Sequence, residues 1–357
     1  MTGELRRMLF LSHSHAFRSF RVGSHHYARE FAHRGAEVVH LSTPISRVHR
    51  WLGRVSRNEE SHVPRGPYRD RDGVTHLVPR TTMPAPFGAL TAAGELHKHG
   101  VDPRFDAVLI DQPLLWDGTV RRLSDRIVYR PTDLYPAGVK ARMQKRIIGA
   151  ADGVVATSGE VLRGLGSLRQ PHLVLENGVD IAHFVAAAVS ERSAVCIYVG
   201  AVDRRFDWQQ VRAWAQARPS VRFVVVGPSP APPVALPDNV ELPGGVPYSS
   251  LPSLLHTARV GMLPLSDDPL NAGRSPMKLF EYLAAGLSVV ARETPVIGPD
   301  ENAGLFTYSG EENALAALDR ALSYRSPNAE GIERAQQQSW STKADHLAEF
   351  LLKLRRR

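Results

Sequence analysis

The sequence predicts an α/β protein with two parallel-sheet domains that face a cleft. A buried strand at Met8–Ser12, a helix near Gly23–Arg34 and a strand at Val38–Leu41 form a βαβ unit. The pattern restarts at Val195–Val199, an apolar run that ends at Gly200. A chain of 357 residues is long enough for two domains, each with its own core.

Further apolar runs extend both predicted sheets. The first half adds strands at Ala107–Asp111, Ile127–Arg130, Gly153–Thr157 and Leu173–Leu175. The second half adds strands at Val221–Val226, Val240–Leu242 and Val260–Pro264, and helices at Ser249–Ala258, Glu312–Tyr324 and Lys343–Leu354. We expect a linker over Ile181–Ser193, which divides the domains at 187/188, and we allow the last helix to pack back on the first domain. Ligands of open parallel sheets bind at the carboxyl ends of the strands.

Composition narrows the class of protein. The single cysteine, Cys196, lies in an apolar run, which argues against disulfides, metal clusters and cysteine chemistry. No apolar run approaches the roughly 18 residues of a membrane span. The N-terminal segment lacks the apolar core and cleavage site of a signal peptide. We therefore expect a cytoplasmic chain.

The charge is divided unevenly between the halves. Residues 1–187 hold 26 Lys and Arg against 18 Asp and Glu, whereas the remaining residues hold 18 of each. The whole excess of +8 therefore lies in the first half. This segregation favours an anionic partner such as a membrane or a phosphorylated substrate over solubility alone. Nucleic acid is not expected, because no recognised nucleic-acid motif accompanies the charge and aromatic residues are few.

The stretch Asn271–Ala291 predicts a loop, a helix and a buried strand. Ser275 suits the N-cap, Pro276 the first helical position and Gly286 a left-handed C-cap. Lys278 falls in the first turn, where the helix dipole disfavours a cation unless an anion is present. Together with Glu281, this arrangement favours an anion site over an ordinary αβ unit with a solvated lysine.

A second basic segment interleaves arginines with apolar residues. Arg47, Arg50, Arg54 and Arg57 surround Trp51 in R-V-H-R-W-L-G-R-V-S-R. Such an amphipathic segment could lie on anionic lipid headgroups. The alternative is a solvated loop with its tryptophan buried in the core.

Three segments of the second half resemble the donor-nucleotide domain of GT-B glycosyltransferases: 198–202, 244–258 and 275–286, the last reading S-P-M-K-L-F-E-Y-L-A-A-G. The resemblance implies a GT-B-like pair of Rossmann-like domains, with acceptor and membrane binding in residues 1–187 and UDP-sugar binding in 188–357. The donor-binding residues that it implies are Gly200, Tyr248, Asn271, Ser275, Pro276, Met277, Lys278 and Glu281.

Motifs in the first half of the chain resemble one particular group of GT-B enzymes. H-S-H-A-F-R-S near the N-terminus, P-T-D-L-Y in the middle and the basic segment resemble the GumK-like inverting glucuronosyltransferases of xanthan-type exopolysaccharide assembly. This implies transfer of glucuronate from UDP-glucuronate to a mannose-terminated, polyprenyl-diphosphate-linked oligosaccharide at the cytoplasmic face of the inner membrane. The alternatives are a GT-B transferase that uses another UDP-hexose and a non-catalytic module that binds anions or membranes.

One departure from the commonest GT-B pattern indicates the stereochemistry. Retaining enzymes of that type carry two glutamates separated by seven residues around this helix. The position eight residues before Glu281 is Gly273, so the first glutamate is missing. The resemblance therefore leaves Glu281 as the acceptor of a ribose hydroxyl and implies inverting chemistry.

Inverting transfer needs a base for the acceptor hydroxyl. We choose Asp133, which follows a predicted strand at Pro131, where the chain must leave the sheet. The alternative is that Asp133 caps a turn. His13 and His15 also follow a strand, although a neutral histidine in a polar loop more often binds than abstracts a proton. Arginine forks suit an acceptor diphosphate or a carboxylate, so the predicted acceptor-binding residues are His13, His15, Arg18 and Arg21.

No cofactor or metal is expected. The sequence has no evident D-x-D metal motif, and the adjacent Asp267 and Asp268 before Pro269 more often begin a loop than hold a cation. Lys278 and the helix start at Ser275–Met277 are expected to stabilise the leaving diphosphate instead.

Overall fold

The structure, a computed structural model, describes residues 5–17, 21–53, 60–185, 192–228, 231–275 and 277–354. The chain forms two compact units, the first from residues 1–176 and 343–357 and the second from residues 177–342. The division falls at 176/177 rather than at the expected 187/188. The reason is local hydrogen bonding: Val179 N–H donates to the Gln338 carbonyl (2.9 Å), which ties the segment after Glu176 to the second unit.

The first unit contains a sheet that is parallel except at one edge. Its described strands are β1 Arg7–Ser12, β2 Glu37–Ser42, β4 Tyr68–Arg69, β5 Val74–Leu77, β7 Ala107–Ile110, β8 Ile127–Tyr129, β9 Gly153–Ala156 and β10 His172–Val174, in the order β10-β9-β8-β7-β1-β2-β5-β4. Only β4 runs antiparallel to its neighbour among these strands. The short strands β3 Ile45–Ser46 and β6 Arg80–Thr81 pair separately.

Both faces of this sheet are buried, which explains its continuous apolar strands. Leu9 and Leu11 belong to the main core of the unit, whereas Phe10 points to the other face, where it packs against Phe31. The helices of the unit are Gly23–His33, Arg47–Trp51, Ala92–Lys98, Gly138–Ala150, Gly159–Gly164 and the part of Trp340–Lys353 that follows Thr342. That last helix presses Phe350 against Gly153, where a β-carbon would lie 2.9 Å from the ring.

The second unit contains a parallel sheet. Its described strands are β11 Val195–Val199, β12 Arg222–Val226, β13 Val240–Gly244, β14 Val260–Leu263, β15 Ser288–Arg292 and β16 Leu305–Tyr308, in the order β13-β12-β11-β14-β15-β16. Alternate residues of β11 enter different cores: Ile197 packs on one face and Cys196 on the other. The helices are Ile181–Phe184, Trp208–Ala217, Leu251–Leu255, Met277–Ala284, Glu311–Ser323, Ala329–Gln336 and the start of Trp340–Lys353.

Two predictions about the second unit were wrong in detail. The helix expected over Ser249–Ala258 is a 3-10 turn at Tyr248–Ser250 followed by a helix at Leu251–Leu255. Pro252 has no N–H and crowds the preceding turn, so the α-helix begins only one residue before it. The expected linker Ile181–Ser193 begins with a helical turn at Ile181–Phe184, and its residues 186–191 lie outside the described part of the chain.

Candidate functional site

The carboxyl ends of β11, β12 and β13 are lined with glycine. Gly200 follows β11 and donates its N–H to the Val226 carbonyl at 2.8 Å, and Gly227 donates to the Gly244 carbonyl at 2.8 Å. Gly200 and Gly227 have φ values of +147° and +146°, which L side chains rarely adopt. Neither glycine therefore places a side chain of its own at the strand ends, where ligands of parallel sheets bind.

At each of these glycines a neighbouring group lies too close to leave room for a β-carbon. A β-carbon on Gly227 would lie 2.0 Å from the Gly200 carbonyl oxygen. A β-carbon on Gly200 would lie 2.2 Å from Cε of Lys278, because the lysine side chain crosses the backbone at this point. The three positions form one close-packed edge, in which Lys278 occupies the space that a side chain on Gly200 would fill.

The Met277–Ala284 helix delivers Lys278 to this edge. The Tyr282 hydroxyl accepts the N–H of Val199 at 2.8 Å, which fixes the helix to the end of β11. Gly286 has a φ of +76° and donates to the Leu283 carbonyl, which confirms the predicted left-handed C-cap. The strand expected at Leu287–Ala291 is also present, one residue later, at Ser288–Arg292.

Lys278 and Glu281 have strongly shifted proton affinities. Burial, together with the smaller effect of the nearby Arg274 charge, lowers the pKa of Lys278 from 10.5 to about 7. Burial raises the pKa of Glu281, while the Lys278 charge opposes that shift. Among the described contacts the two side chains form no direct ion pair, and Lys278 Nζ lies 5.6 Å from the centroid of the Tyr198 ring. The pair is therefore close enough to interact but leaves the ammonium group without a hydrogen-bonded counter-ion.

Further charged groups that the sequence analysis did not single out surround Lys278. Arg274 and Arg205 both lower the pKa of Lys278, so both place positive charge near it. Asp203 pairs with Arg205 at 2.7 Å. The signal for Arg274 was present, since it stands inside the motif N-A-G-R-S-P, but nothing in the local sequence brings Arg205 to the same place.

Three further predicted donor-site residues, Asn271, Ser275 and Tyr248, have hydrogen-bonding or stacking partners. Asn271 is buried, and its amide nitrogen donates to the carbonyls of Arg205 and Ser266 at 3.0 and 2.9 Å, so it holds two loops together. Ser275 Oγ accepts the N–H of Asn177 at 3.1 Å. Tyr248 stacks on His183 with ring centroids 4.3 Å apart.

The start of the motif helix is only partly described. The helix is described from Met277, whose side chain is half-buried. Pro276 lies outside the described residues, so the predicted cap at Ser275 stays a prediction.

Asp267 and Asp268, the adjacent acids considered as a metal site, each form an ion pair with an arginine. Arg292 pairs with Asp267 at 2.5 Å and Arg204 with Asp268 at 2.8 Å. Asp268 also accepts the N–H of Leu270. Within the described ranges, no cluster of three or more His, Cys, Asp or Glu residues is placed to hold a metal ion.

In the first unit, Asp133 is exposed on the loop that follows β8. Its charge raises the pKa of Tyr135 after the larger effect of burial. Two further carboxylates of this unit are less exposed: Asp111 accepts from Arg130 at 2.9 Å with both side chains buried, and Glu160 pairs with Arg163. Asp133 is therefore the most accessible of these three carboxylates.

His13 and His15 line a cavity of about 240 Å³ together with Gln112 and Lys140. The structure thus brings together the two histidines that were predicted to bind the acceptor. Arg21 is not among the residues that line this cavity; its charge instead helps to lower the pKa of the buried His25, after the larger effect of burial. Arg18 lies outside the described residues.

The basic segment begins with the helix Arg47–Trp51. The Trp51 side chain is 85% exposed, so the alternative of a tryptophan buried in the core was wrong. Arg50 pairs with Glu60 at 3.1 Å. Arg54 and Arg57 lie outside the described residues. No helix of the described chain is long and apolar enough to cross a membrane.

Comparisons with known proteins agree with this geometry. Residues 193–323 match the family model described as Glycosyl transferases group 1. The chain is 24% identical over 233 residues to TuaH of Bacillus subtilis (strain 168), whose name assigns it to teichuronic acid biosynthesis as a glycosyltransferase. That match covers 56% of this chain and 59% of the length of the relative.

Solved structures match over nearly the whole chain. A sucrose-phosphate synthase from Thermosynechococcus elongatus has a TM-score of 0.69 at 16% identity, covering 98% of this chain and 99% of its own. Anabaena Alr3699/HepE in complex with UDP has a TM-score of 0.66 at 15% identity, covering 98% and 100%. The chain therefore has the GT-B fold, with parallel sheets in two Rossmann-like domains. Within that class, residues 193–323 of the second unit are similar to the group 1 glycosyltransferases.

Proposed function

We propose that the protein is a UDP-sugar-dependent glycosyltransferase. The observation that carries this proposal is the glycine edge of the second unit, where Lys278 crosses Gly200 with an ammonium group that has no hydrogen-bonded counter-ion among the described contacts. A diphosphate bound there would supply the missing negative charge and would raise the pKa of Lys278 again. The match to group 1 glycosyltransferases and the structural similarity to a UDP-bound protein support UDP as the leaving group.

The finer proposal is that the donor is UDP-glucuronate and the transfer inverts the anomeric centre without a metal. The missing first glutamate at Gly273 supports inversion, and Lys278, Arg274 and Arg205 supply positive charge that could replace a cation at the diphosphate. Glu281, whose pKa is raised by burial, would accept a hydrogen bond from a ribose hydroxyl of the bound nucleotide.

On the acceptor side, Asp133 would take the proton of the attacking hydroxyl. Its carboxylate is exposed and so can be reached by substrate. The acceptor would be a mannose-terminated oligosaccharide on polyprenyl diphosphate, used in exopolysaccharide assembly. His13 and His15 would contact its sugars in their cavity.

The first test is a panel of UDP-sugars with a synthetic mannosyl-lipid acceptor, scored for transfer. The proposal expects UDP-glucuronate to be preferred. Preference for UDP-glucose or UDP-galactose would support a glycosyltransferase but contradict glucuronate as the donor sugar.

Asp133→Asn should lower kcat by on the order of 10²-fold or more while UDP affinity and Tm stay near wild type. If Asp133 only caps a turn, asparagine should keep both turnover and Tm, and His13→Asn and His15→Asn would be assayed next.

We also propose peripheral binding at the cytoplasmic face of the inner membrane through the first unit. The net charge of +8 in residues 1–187 and the exposed Trp51 support this. Changing Arg47, Arg50, Arg54 and Arg57 to Glu should release the protein from anionic vesicles in co-sedimentation, most clearly at low salt. Binding that resists both the reversal and salt would show that this segment is not the contact.

A further inference from the structure

A second, larger cavity adjoins the histidine cavity in the first unit. It has a volume of about 460 Å³, and we call it the Phe87 groove. Leu114 lines both cavities, and the consecutive residues Val139 and Lys140 line one each. The apolar side chains of the groove include Phe87, Leu90, Leu114, Trp116, Val139 and Met143. The two cavities therefore lie side by side and share Leu114 as a lining residue.

Two unpaired arginines border this groove. The helix Gly138–Ala150 carries four Lys and Arg residues and no Asp or Glu. Arg142 and Arg146, one helical turn apart, line the groove and are exposed. Neither has an ion pair or hydrogen bond among the described contacts. Asp117, the acid among the lining residues, already accepts the N–H groups of Ala92 and Thr119 at 2.9 and 2.8 Å.

These features fit an amphiphile better than a purely polar ligand. The groove has the volume of a small-molecule site, for which about 300–1,000 Å³ is typical. Most of its lining residues are apolar, and Phe87 among them is 65% exposed although burial of such a ring would be favourable. The planar guanidinium groups of two neighbouring arginines can each donate two hydrogen bonds to phosphate oxygens.

We propose that the Phe87 groove binds the apolar chain of a phosphate-bearing lipid, with the phosphate held by Arg142 and Arg146. This inference rests on the proposed function, because the lipid would be the carrier of the acceptor. The carrier chain occupies the groove, and the sugars occupy the adjoining cavity of His13 and His15.

The test uses farnesyl monophosphate below its micelle concentration, with saturating UDP present so that the donor site is occupied. Binding is measured by quenching of tryptophan fluorescence and by calorimetry on the full chain. Wild type should bind saturably and more tightly than it binds farnesol or inorganic phosphate. Arg142→Glu with Arg146→Glu should weaken binding at least about tenfold, and Phe87→Ser should weaken farnesyl monophosphate and farnesol alike.

Lys145→Glu is the matched control, because Lys145 is exposed on the same helix but does not line the groove. Equal loss in this variant, or no saturable binding by wild type, would overturn the proposal. The proposal would also be overturned if the Arg142→Glu, Arg146→Glu double variant lost binding to anionic vesicles but bound farnesyl monophosphate as wild type does. That result would assign the two arginines to the membrane surface. Normal farnesyl monophosphate binding without any UDP-sugar transfer would leave the groove in place and reject the proposed function.

Discussion

The two units hold their buried opposite charges in different ways. In the first unit, Arg130 and Asp111 follow neighbouring strands and form a 2.9 Å ion pair that is almost fully buried. The Arg130 guanidinium also lies 5.0 Å from the Tyr27 ring centroid. In the second unit, Lys278 and Glu281 shift each other's pKa, yet no direct ion pair joins them among the described contacts.

The difference separates a structural pair from a site that is ready for a ligand. Arg130 and Asp111 are joined by a direct ion pair, so each buried charge has a counter-ion at hydrogen-bond distance. Lys278 crosses the glycine edge without a hydrogen-bonded counter-ion among the described contacts, and its desolvation is compensated only in part. A buried charge that the fold does not neutralise is more often found at a functional site than in a structural core. The following experiments test this distinction.

The largest expected effect is the loss of stability when one partner of the Arg130–Asp111 ion pair is removed. Asp111→Ala leaves the buried Arg130 charge unpaired and should lower the free energy of unfolding by roughly 3–5 kcal/mol, measured by urea denaturation. The double variant Asp111→Leu with Arg130→Met should recover most of that loss, because it removes both charges. A loss below about 1 kcal/mol in the single variant would mean that the pair is not structural.

The next effect is at the glycine edge. Gly227→Ala should lower the free energy of unfolding by at least about 1–3 kcal/mol, because φ is +146° and the new methyl group meets the Gly200 carbonyl. Gly200→Ala meets the end of a flexible lysine instead, so it should weaken UDP binding as Lys278 is displaced. Gly35→Ala, with φ of +88° and open space around it, is the control for backbone strain alone. Equal costs in all three variants would contradict the close packing.

The third effect should be on binding without loss of stability. Lys278→Ala removes the cation that faces the diphosphate and should weaken UDP binding about 10–100-fold, as expected for hydrogen bonds of roughly 1.5–3 kcal/mol to charged groups. The free energy of unfolding should stay within about 1 kcal/mol of wild type, since the half-buried lysine has no direct counter-ion to lose among the described contacts. Calorimetry that gives unchanged UDP affinity would remove Lys278 from the donor site.

The smallest expected effect is the uptake of a proton by Lys278 when UDP binds. Because burial lowers the pKa of Lys278 to about 7, the folded protein binds fewer protons than the unfolded chain between pH 7 and 10.5. Without ligand, the contribution of Lys278 to stability should therefore rise with pH across this window. A bound diphosphate reverses this preference, so UDP binding at pH 8 should take up a fraction of a proton.

Calorimetry in two buffers of different ionisation enthalpy measures that uptake. Lys278→Met should abolish it, and UDP affinity of wild type should fall as pH rises above 8. Uptake that persists in Lys278→Met would assign the proton to another group, such as Glu281.

Local patterns were sufficient for most of the strands and for the central helix. The continuous apolar runs of Val195–Val199 and Val260–Leu263 predict strands buried on both faces, and the motif around Lys278 predicts its helix and its C-cap. Local patterns failed where short segments take their conformation from distant partners. The boundary at 176/177 depends on hydrogen bonds to residues about 100 to 160 positions away. The turn at Ile181–Phe184 is held by hydrogen bonds to Tyr248 and His256, 65 and 72 positions away.

The sequence by itself determined the class of fold and the most important donor-site residues, because hydrophobic period, glycine positions and helix caps are local properties. Only the tertiary structure decided which charges are neutralised. Arg130 and Asp111 come from separate segments of the chain, as do Arg205 and Lys278, and the energy of a buried charge depends on every group within a few ångströms. For the same reason the Phe87 groove, assembled from four segments, has no signature in the sequence.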